Sequence, residues 1–247
     1  MSDEPLVEYS VADGLATVEL NRPERRNAII PPMLDELAAA VDRASADESV
    51  QALLLCGAGG AFCSGLDLDA YNADPPPPWV ATGGGSAHAA HSALARCEVP
   101  IVVALERYAI NGGAAYALAG DLLVAGETAW LQVGEMIQGL PAPMNIAWLT
   151  TKYPESVAVR VVYSGERIAG PELHAMGIAH RVTADDEVRA EATALAQRIA
   201  SAPNGTPRPM KQAIRSLYGR DPVTQIDAAR AAIPITESFR PSQAPDV

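Results

Sequence analysis

Cysteine is scarce in this chain. Three occur in 247 residues, Cys56, Cys63 and Cys97. They are odd in number and lack metal-ligand spacing, so they form no disulfide framework, and a reducing compartment is expected. Basic residues are also short: 18 Lys and Arg stand against 30 Asp and Glu, a net charge of −12. That excludes a nucleic-acid binder, which would carry a broad basic face, but a few local arginines could still hold a small phosphorylated molecule. No apolar run approaches the ~20 residues of a membrane span. The opening MSDEPLVEYS has no basic region followed by an apolar segment, so no signal peptide and a cytoplasmic location are expected. Two of the four histidines, His88 and His91, are three apart on a helix-like run. With no third ligand nearby they read as ordinary helix-surface residues, and no metal is expected.

The composition, 49% hydrophobic and 19% charged, is that of a globular protein, and this length suits one domain with appendages. Its organising stretch is PIVVALERYAINGGAAYALAGDLLVA, Pro100 to Ala125. The apolar run Ile101 to Leu105 predicts a strand. A turn follows through Tyr108 and Ala109, then Asn111-Gly112-Gly113 and a small-residue helix to Ala119. Leu122 to Ala125 predicts the next strand. The first turn of a helix has backbone N–H groups without intrahelical partners, at the positive end of the helix dipole. Glycine there admits an anionic or carbonyl oxygen close to the backbone; alternatively it only permits tight helix packing.

Along the chain, Leu6 to Ser10 and Leu15 to Leu20 predict two strands around Ala12-Asp13-Gly14. NRPERRNAI holds Arg22, Arg25 and Arg26, either a solvated basic loop or a phosphate contact. Pro31-Pro32 opens a helix with Leu34, Leu37, Ala38 and Val41 at helical spacing, and Val50 to Leu55 is a buried strand. GAGGAFCSGLDLDAY then offers a second backbone-donor loop at Ser64-Gly65-Leu66-Asp67; it lacks the phosphate-loop and dinucleotide fingerprints. Asn72 to Gly85, with Pro75 to Pro78 and Gly83 to Gly85, is a mobile surface excursion able to serve as a lid. Ala129 to Gln132 predicts a short strand. Glu135 follows in an apolar setting between Val133, Met136, Ile137 and Leu140. If buried beside a pocket, it becomes a proton shuttle near neutral pH. Pro143 to His174 is helical with breaks at Pro154 and Gly165, and Gly177 to Val182 closes the core as a strand. Three amphipathic helices end the chain, at Glu187 to Ile199, Pro209 to Tyr218 and Thr224 to Ala232.

These segments, in this order, resemble the crotonase (enoyl-CoA hydratase/isomerase) superfamily over nearly the whole chain: NRPERRNAI, GAGGAFCSGLDL, the Pro100 stretch, VGEMIQGLPA and GPELHAMGIAHRV. The resemblance implies an α/β fold, a spiral of ββα units over residues 1–183. A C-terminal helical region, residues 184–247, would serve oligomerisation in a homotrimer or homohexamer. It implies an acyl-CoA thioester as substrate and no cofactor. Carried over by motif, the backbone N–H groups of Leu66 and Gly112 would form an oxyanion hole for a thioester enolate. Arg25 or Arg26 would contact a phosphate or the adenine end of CoA, Ser64 and Asp67 would also bind the substrate or CoA, and Lys211 is a weaker phosphate candidate. Ala115, Tyr116 and Leu140 would line the acyl pocket.

The departures bear on the reaction. Family hydratases use two glutamates, of which the second aligns with Glu135 and the first with Ala115. Tyr116 is next along, but one helical residue is a rotation of ~100°. Glu106-Arg107 replaces an asparagine-glycine turn, and Asp69 stands where many members have a basic residue. Losing one cooperating carboxylate removes a contribution of ~10²–10⁴ to hydration. Moving a double bond needs only one base, so Δ3-to-Δ2 enoyl-CoA isomerisation by Glu135 fits best. The alternatives are a 2-enoyl-CoA hydratase, a non-catalytic acyl-CoA-binding protein, or dehalogenase- or decarboxylase-like chemistry recruiting His88, His91 and Tyr116.

Overall fold

Asp13 and Gly14 both adopt left-handed backbone angles, φ 49° and 78°, as a tight hairpin requires. They join β1 (Val7–Ala12) to β2 (Leu15–Leu20) in antiparallel register, with Val7 opposite Leu20. The computed structural model describes residues 4–82, 85–218 and 220–233. β2 pairs in parallel with β3 (Ala52–Gly57), and β3 with β4 (Ile101–Leu105). Both later strands are buried along their whole length, hence their unbroken apolar sequence. β5 (Tyr108–Ile110) leaves this sheet; β6 (Leu122–Gly126) returns to it beside β4; β7 (Trp130–Gln132) leaves again to pair with β5. β8 (Ile168–Ala169) completes the second sheet and β9 (Arg181–Thr183) the first.

Among the described residues the helices are α1 (Pro31–Ala46), α2 (Leu68–Tyr71), α3 (Trp79–Thr82), α4 (Ser86–Arg96), α5 (Gly112–Ala119) and α6 (Pro143–Lys152). They continue with α7 (Glu155–Ser164), α8 (Gly170–Ala175), α9 (Val188–Ala200), α10 (Pro207–Tyr218) and α11 (Pro222–Ala232). Each coil of the spiral is a strand in the first sheet, a strand in the second, then a helix: β4–β5–α5 and β6–β7–α6 repeat it. The chain after β3 follows the same path without a regular second strand. There Cys63 bridges Ala109 and Leu66 bridges Ile29. This places Leu66 and the start of α5 side by side.

The structure departs from expectation in four places. The turn through Tyr108 and Ala109 is strand β5, too short for a periodicity signal. The long helical stretch also contains β8. The Pro/Gly-rich excursion carries α3, tied down by an edge-to-face contact of Tyr71 with Trp79 at 5.0 Å; Gly83 and Gly84 lie outside the described residues. The boundary expected between residues 183 and 184 cuts through the core. Val188, Ala192, Leu195, Ala196 and Ala200 of α9 pack on Leu54, Val102 and Val124 of the first sheet, so α9 is one of its covering layers. The Glu106-Arg107 turn also gains an account. Arg107 is left-handed, φ 56°, and Glu106 accepts from Arg189 of α9 at 3.0 Å, beside a second pair of Arg189 with Glu19 at 3.0 Å.

Candidate active site

The segment Phe62 to Asp67 is held from two sides. Ile29 N–H donates to Gly65 O at 2.7 Å and Asp67 N–H to Ile29 O at 3.0 Å. Opposite, Cys63 N–H donates to Tyr108 O and Ile110 N–H to Cys63 O, both at 3.1 Å. Gly65 has φ +89°, and a Cβ there would sit 2.9 Å from Ile110 O. A Cβ on Gly113 would sit 2.7 Å from Cys63 O. Glycine at both points lets this loop meet the first turn of α5 backbone to backbone. Among the described residues, the N–H groups of Leu66 and Gly112 donate to no protein acceptor. Gly112 opens a helix whose remaining seven residues are all buried, so its free N–H follows from helix geometry. Leu66 exposes 41% of its surface, leaving the adjoining space open.

Asn111, φ 50°, ties this helix start to the next coil of the spiral. Its N–H donates to Gln132 O and its Oδ1 accepts from Gly134 N–H, both at 2.8 Å. One residue on, Glu135 begins a one-turn helix ending at Gln138. Its Oε1 accepts from Asn145 Nδ2 at 2.8 Å, while its Oε2 is buried with no partner among the described residues. Burial pushes the Glu135 carboxyl up to about 7; its backbone N–H and Asn145 only partly oppose this. The same Asn145 Nδ2 donates to Asn111 O at 3.1 Å, so one amide joins the carboxylate to the cap of α5. Sequence reasoning passed over Asn145. Its signal was a lone amide in the first turn of α6 amid Ala142, Pro143, Ala147 and Trp148, all buried.

Ala115 is fully buried, Tyr116 is 2% exposed and Leu140 is half-buried. Tyr116 turns toward α4, where its ring stacks on His91 with centroids 4.3 Å apart and planes 3° from parallel. The surface position expected for His91 is therefore corrected: it is 2% exposed, in the corner between α4, α5 and α6. His88 stays near the surface, 3.6 Å from Asp227.

The basic residues separate. Arg22 and Arg25 both clamp Asp67, at 2.9 and 2.7 Å, and Arg25 also reaches Asp69 at 2.8 Å. Burial alone would raise the Asp67 carboxyl, but Arg25, Ala70 N–H and Arg22 outweigh it and hold it at about 2. Asp67 is thus the buried anchor of the loop rather than a group presented to a ligand. Arg26 is exposed, its guanidinium without a partner among the described residues, and its carbonyl accepts from Ser64 N–H at 3.1 Å. Lys211 is corrected as well. It is buried, pairs with Asp121 at 2.6 Å and donates to Val99 O at 2.7 Å, which spends its charge inside the fold.

The comparisons with known proteins agree with this architecture. The family model described as enoyl-CoA hydratase/isomerase matches residues 10–237. A 1,2-epoxyphenylacetyl-CoA isomerase from Escherichia coli is 30% identical over 225 residues, 89% of this chain and 86% of the relative. The enoyl-CoA hydratase EchA19 of Mycobacterium tuberculosis is 31% identical over 81% of this chain and 75% of its own length. Among solved structures, an enoyl-CoA hydratase/isomerase from Xanthobacter autotrophicus Py2 superposes with a TM-score of 0.80 at 29% identity, covering 92% of this chain and 85% of that one. One from Pseudoalteromonas atlantica T6c gives 0.77 at 26%, covering 92% and 88%. No helix among the described residues is long and apolar enough to cross a membrane. With the family match spanning most of its length and the spiral reproduced in three dimensions, the chain belongs to the enoyl-CoA hydratase/isomerase family of the crotonase superfamily.

Proposed function

We propose that this protein is an acyl-CoA enzyme that moves a double bond from the Δ3 to the Δ2 position, with Glu135 as its single proton shuttle. The observation that carries the reading is the contrast between Glu135 and Ala115. Glu135 keeps one buried, partnerless oxygen and a carboxyl raised to about 7. The position of a second carboxylate is a fully buried methyl group. In the reaction, Glu135 Oε2 takes a proton from C2 of a 3-enoyl thioester. The electron pair of that C–H bond forms a C1–C2 double bond while the carbonyl π pair passes to the thioester oxygen, giving a dienolate that keeps C3=C4. The N–H groups of Leu66 and Gly112 stabilise that oxygen, each donor worth roughly two to three orders of magnitude in rate. The same carboxyl then returns the proton at C4: the C3–C4 pair takes the proton, the C1–C2 pair becomes the C2–C3 double bond and the carbonyl re-forms. A group titrating near 7 suits both halves of this transfer. No metal or redox cofactor is needed in this scheme. Arg26, and the part of Arg25 not spent on Asp67 and Asp69, face the CoA phosphates.

The apolar residues Met210, Ile214, Leu217 and Tyr218 lie exposed on α10. Their spacing of four, seven and eight puts them on one helix face, which supports a homotrimer or homohexamer assembled through this region.

The test is a paired assay on purified protein. A 3-enoyl-CoA is watched for appearance of the conjugated 2-enoyl-CoA, and a 2-enoyl-CoA for its loss by hydration. Isomerisation without comparable hydration is expected, and Glu135→Gln should abolish it. Hydration at an equal rate would instead support a hydratase, the activity named for EchA19.

A further inference from the structure

The corner between α4, α5 and α6 holds polar groups that the proton transfer does not use. Trp148 Nε1–H donates to His91 Nδ1 at 3.0 Å. With Nδ1 accepting, the imidazole proton sits on Nε2. Burial, with His88 nearby, lowers the His91 pKa to about 3, so the ring stays neutral and Nε2–H remains a donor. Tyr116 stacks flat on this ring. Burial keeps the phenol protonated, with Cys63 and Tyr71 adding to the effect. Those two neighbours place the phenol on the side of the Leu66 loop. Neither Tyr116 Oη nor His91 Nε2 has a protein hydrogen-bond partner among the described residues; both residues are 2% exposed, and neither atom is among the fully enclosed polar atoms left without a partner. A donor with no protein partner is available to a polar atom of a bound molecule, so a pair of them beside a substrate site marks a place for one.

The position suits the acyl chain. Trp148 is three residues after Asn145, on the same face of α6 and roughly 4.5 Å along its axis. Asn145 holds Glu135, and Trp148 holds His91. The His91–Tyr116 pair therefore lies one helical turn from the carboxylate, where carbons beyond the reacting ones would reach.

We propose that His91 Nε2–H and the Tyr116 hydroxyl form a polar subsite at the far end of the acyl pocket, selecting acyl-CoA thioesters whose tail carries a hydrogen-bond-accepting oxygen, such as a carbonyl or hydroxyl, over plain hydrocarbon tails. This deepens the acyl-CoA reading of the site and rests on it. The subsite supplies two donors and a flat aromatic wall, and a hydrocarbon tail would leave both donors unpaired.

The experiment measures binding by calorimetry of two unreactive saturated acyl-CoAs of equal length, one with a carbonyl oxygen in the distal half of the tail. The 3-enoyl forms of the same pair are followed as kcat/KM. The oxygenated member is expected to bind about tenfold tighter or more, and this ratio should collapse toward one in Tyr116→Phe. Trp148→Phe, which releases the imidazole tautomer, should shrink it as well. Equal affinity of the wild-type protein for both thioesters, or none for either, overturns the subsite. Preference in binding without turnover would keep the subsite and defeat the isomerase reading; turnover without preference would do the reverse.

Discussion

Asn145 donates to Glu135 at 2.8 Å and to the Asn111 carbonyl at 3.1 Å through the same amide nitrogen. Asn111 in turn caps the helix whose first N–H belongs to Gly112. Glu135, the proposed proton shuttle, and Gly112, a proposed backbone donor, are thus joined by a single side chain from a third element. Two acceptors facing one nitrogen also fix the orientation of the amide, because its oxygen in that place would meet only other oxygens.

Removing that donor should change how Glu135 titrates. A hydrogen bond to a carboxylate favours its charged form, so Asn145→Ala leaves burial less opposed and raises the Glu135 pKa above about 7. The ascending limb of a kcat/KM profile against pH should move up by about one to two pH units. A residue that mattered only for packing would lower the plateau and leave the limb in place.

Glu135→Gln should trade activity for stability in a pH-dependent way. The carboxyl rises from 4.5 in the unfolded chain to about 7 in the fold. Below the lower value it is protonated in both states and costs nothing. Between the two values the unfolded state releases the proton while the folded state keeps it, so stability falls as pH rises, by about 3 kcal/mol once pH exceeds 7. A neutral glutamine escapes this loss. Urea titrations should show the variant more stable than wild type at pH 8 and indistinguishable from it near pH 4.

Much of this was legible in the sequence, for identifiable reasons. The parallel strands β3 and β4 announced themselves as unbroken apolar runs, and α5 by glycine followed by small residues. Glu135 stood out as one charge in an apolar window. What escaped notice was set by long-range packing. β5 and β8 exist because neighbouring strands pair with them; neither is long enough to carry a pattern. His91 and His88 are three apart on one helix and look alike in sequence, yet only the corner made by α5 and α6 buries one of them. Lys211 looked free because Asp121, ninety positions earlier, was not visible as its partner.

Gly113 tests how closely the two donor segments must approach. Its missing side chain lets Cys63 come near: a Cβ would lie 2.7 Å from the Cys63 carbonyl oxygen and 2.9 Å from its Sγ. The first distance involves backbone, which yields only if the loop carrying Leu66 and the start of α5 move apart. Alanine has the better intrinsic helix propensity, by about 1 kcal/mol, so α5 itself would not suffer from Gly113→Ala. The expected result is therefore a loss concentrated in chemistry. A displacement approaching 1 Å between positioned groups is worth about a hundredfold in rate, read as a fall in kcat for isomerisation with KM changing far less. Unchanged kcat in Gly113→Ala would mean that the spacing of Leu66 and Gly112 does not set the rate, and the enolate-stabilising role assigned to them would fall.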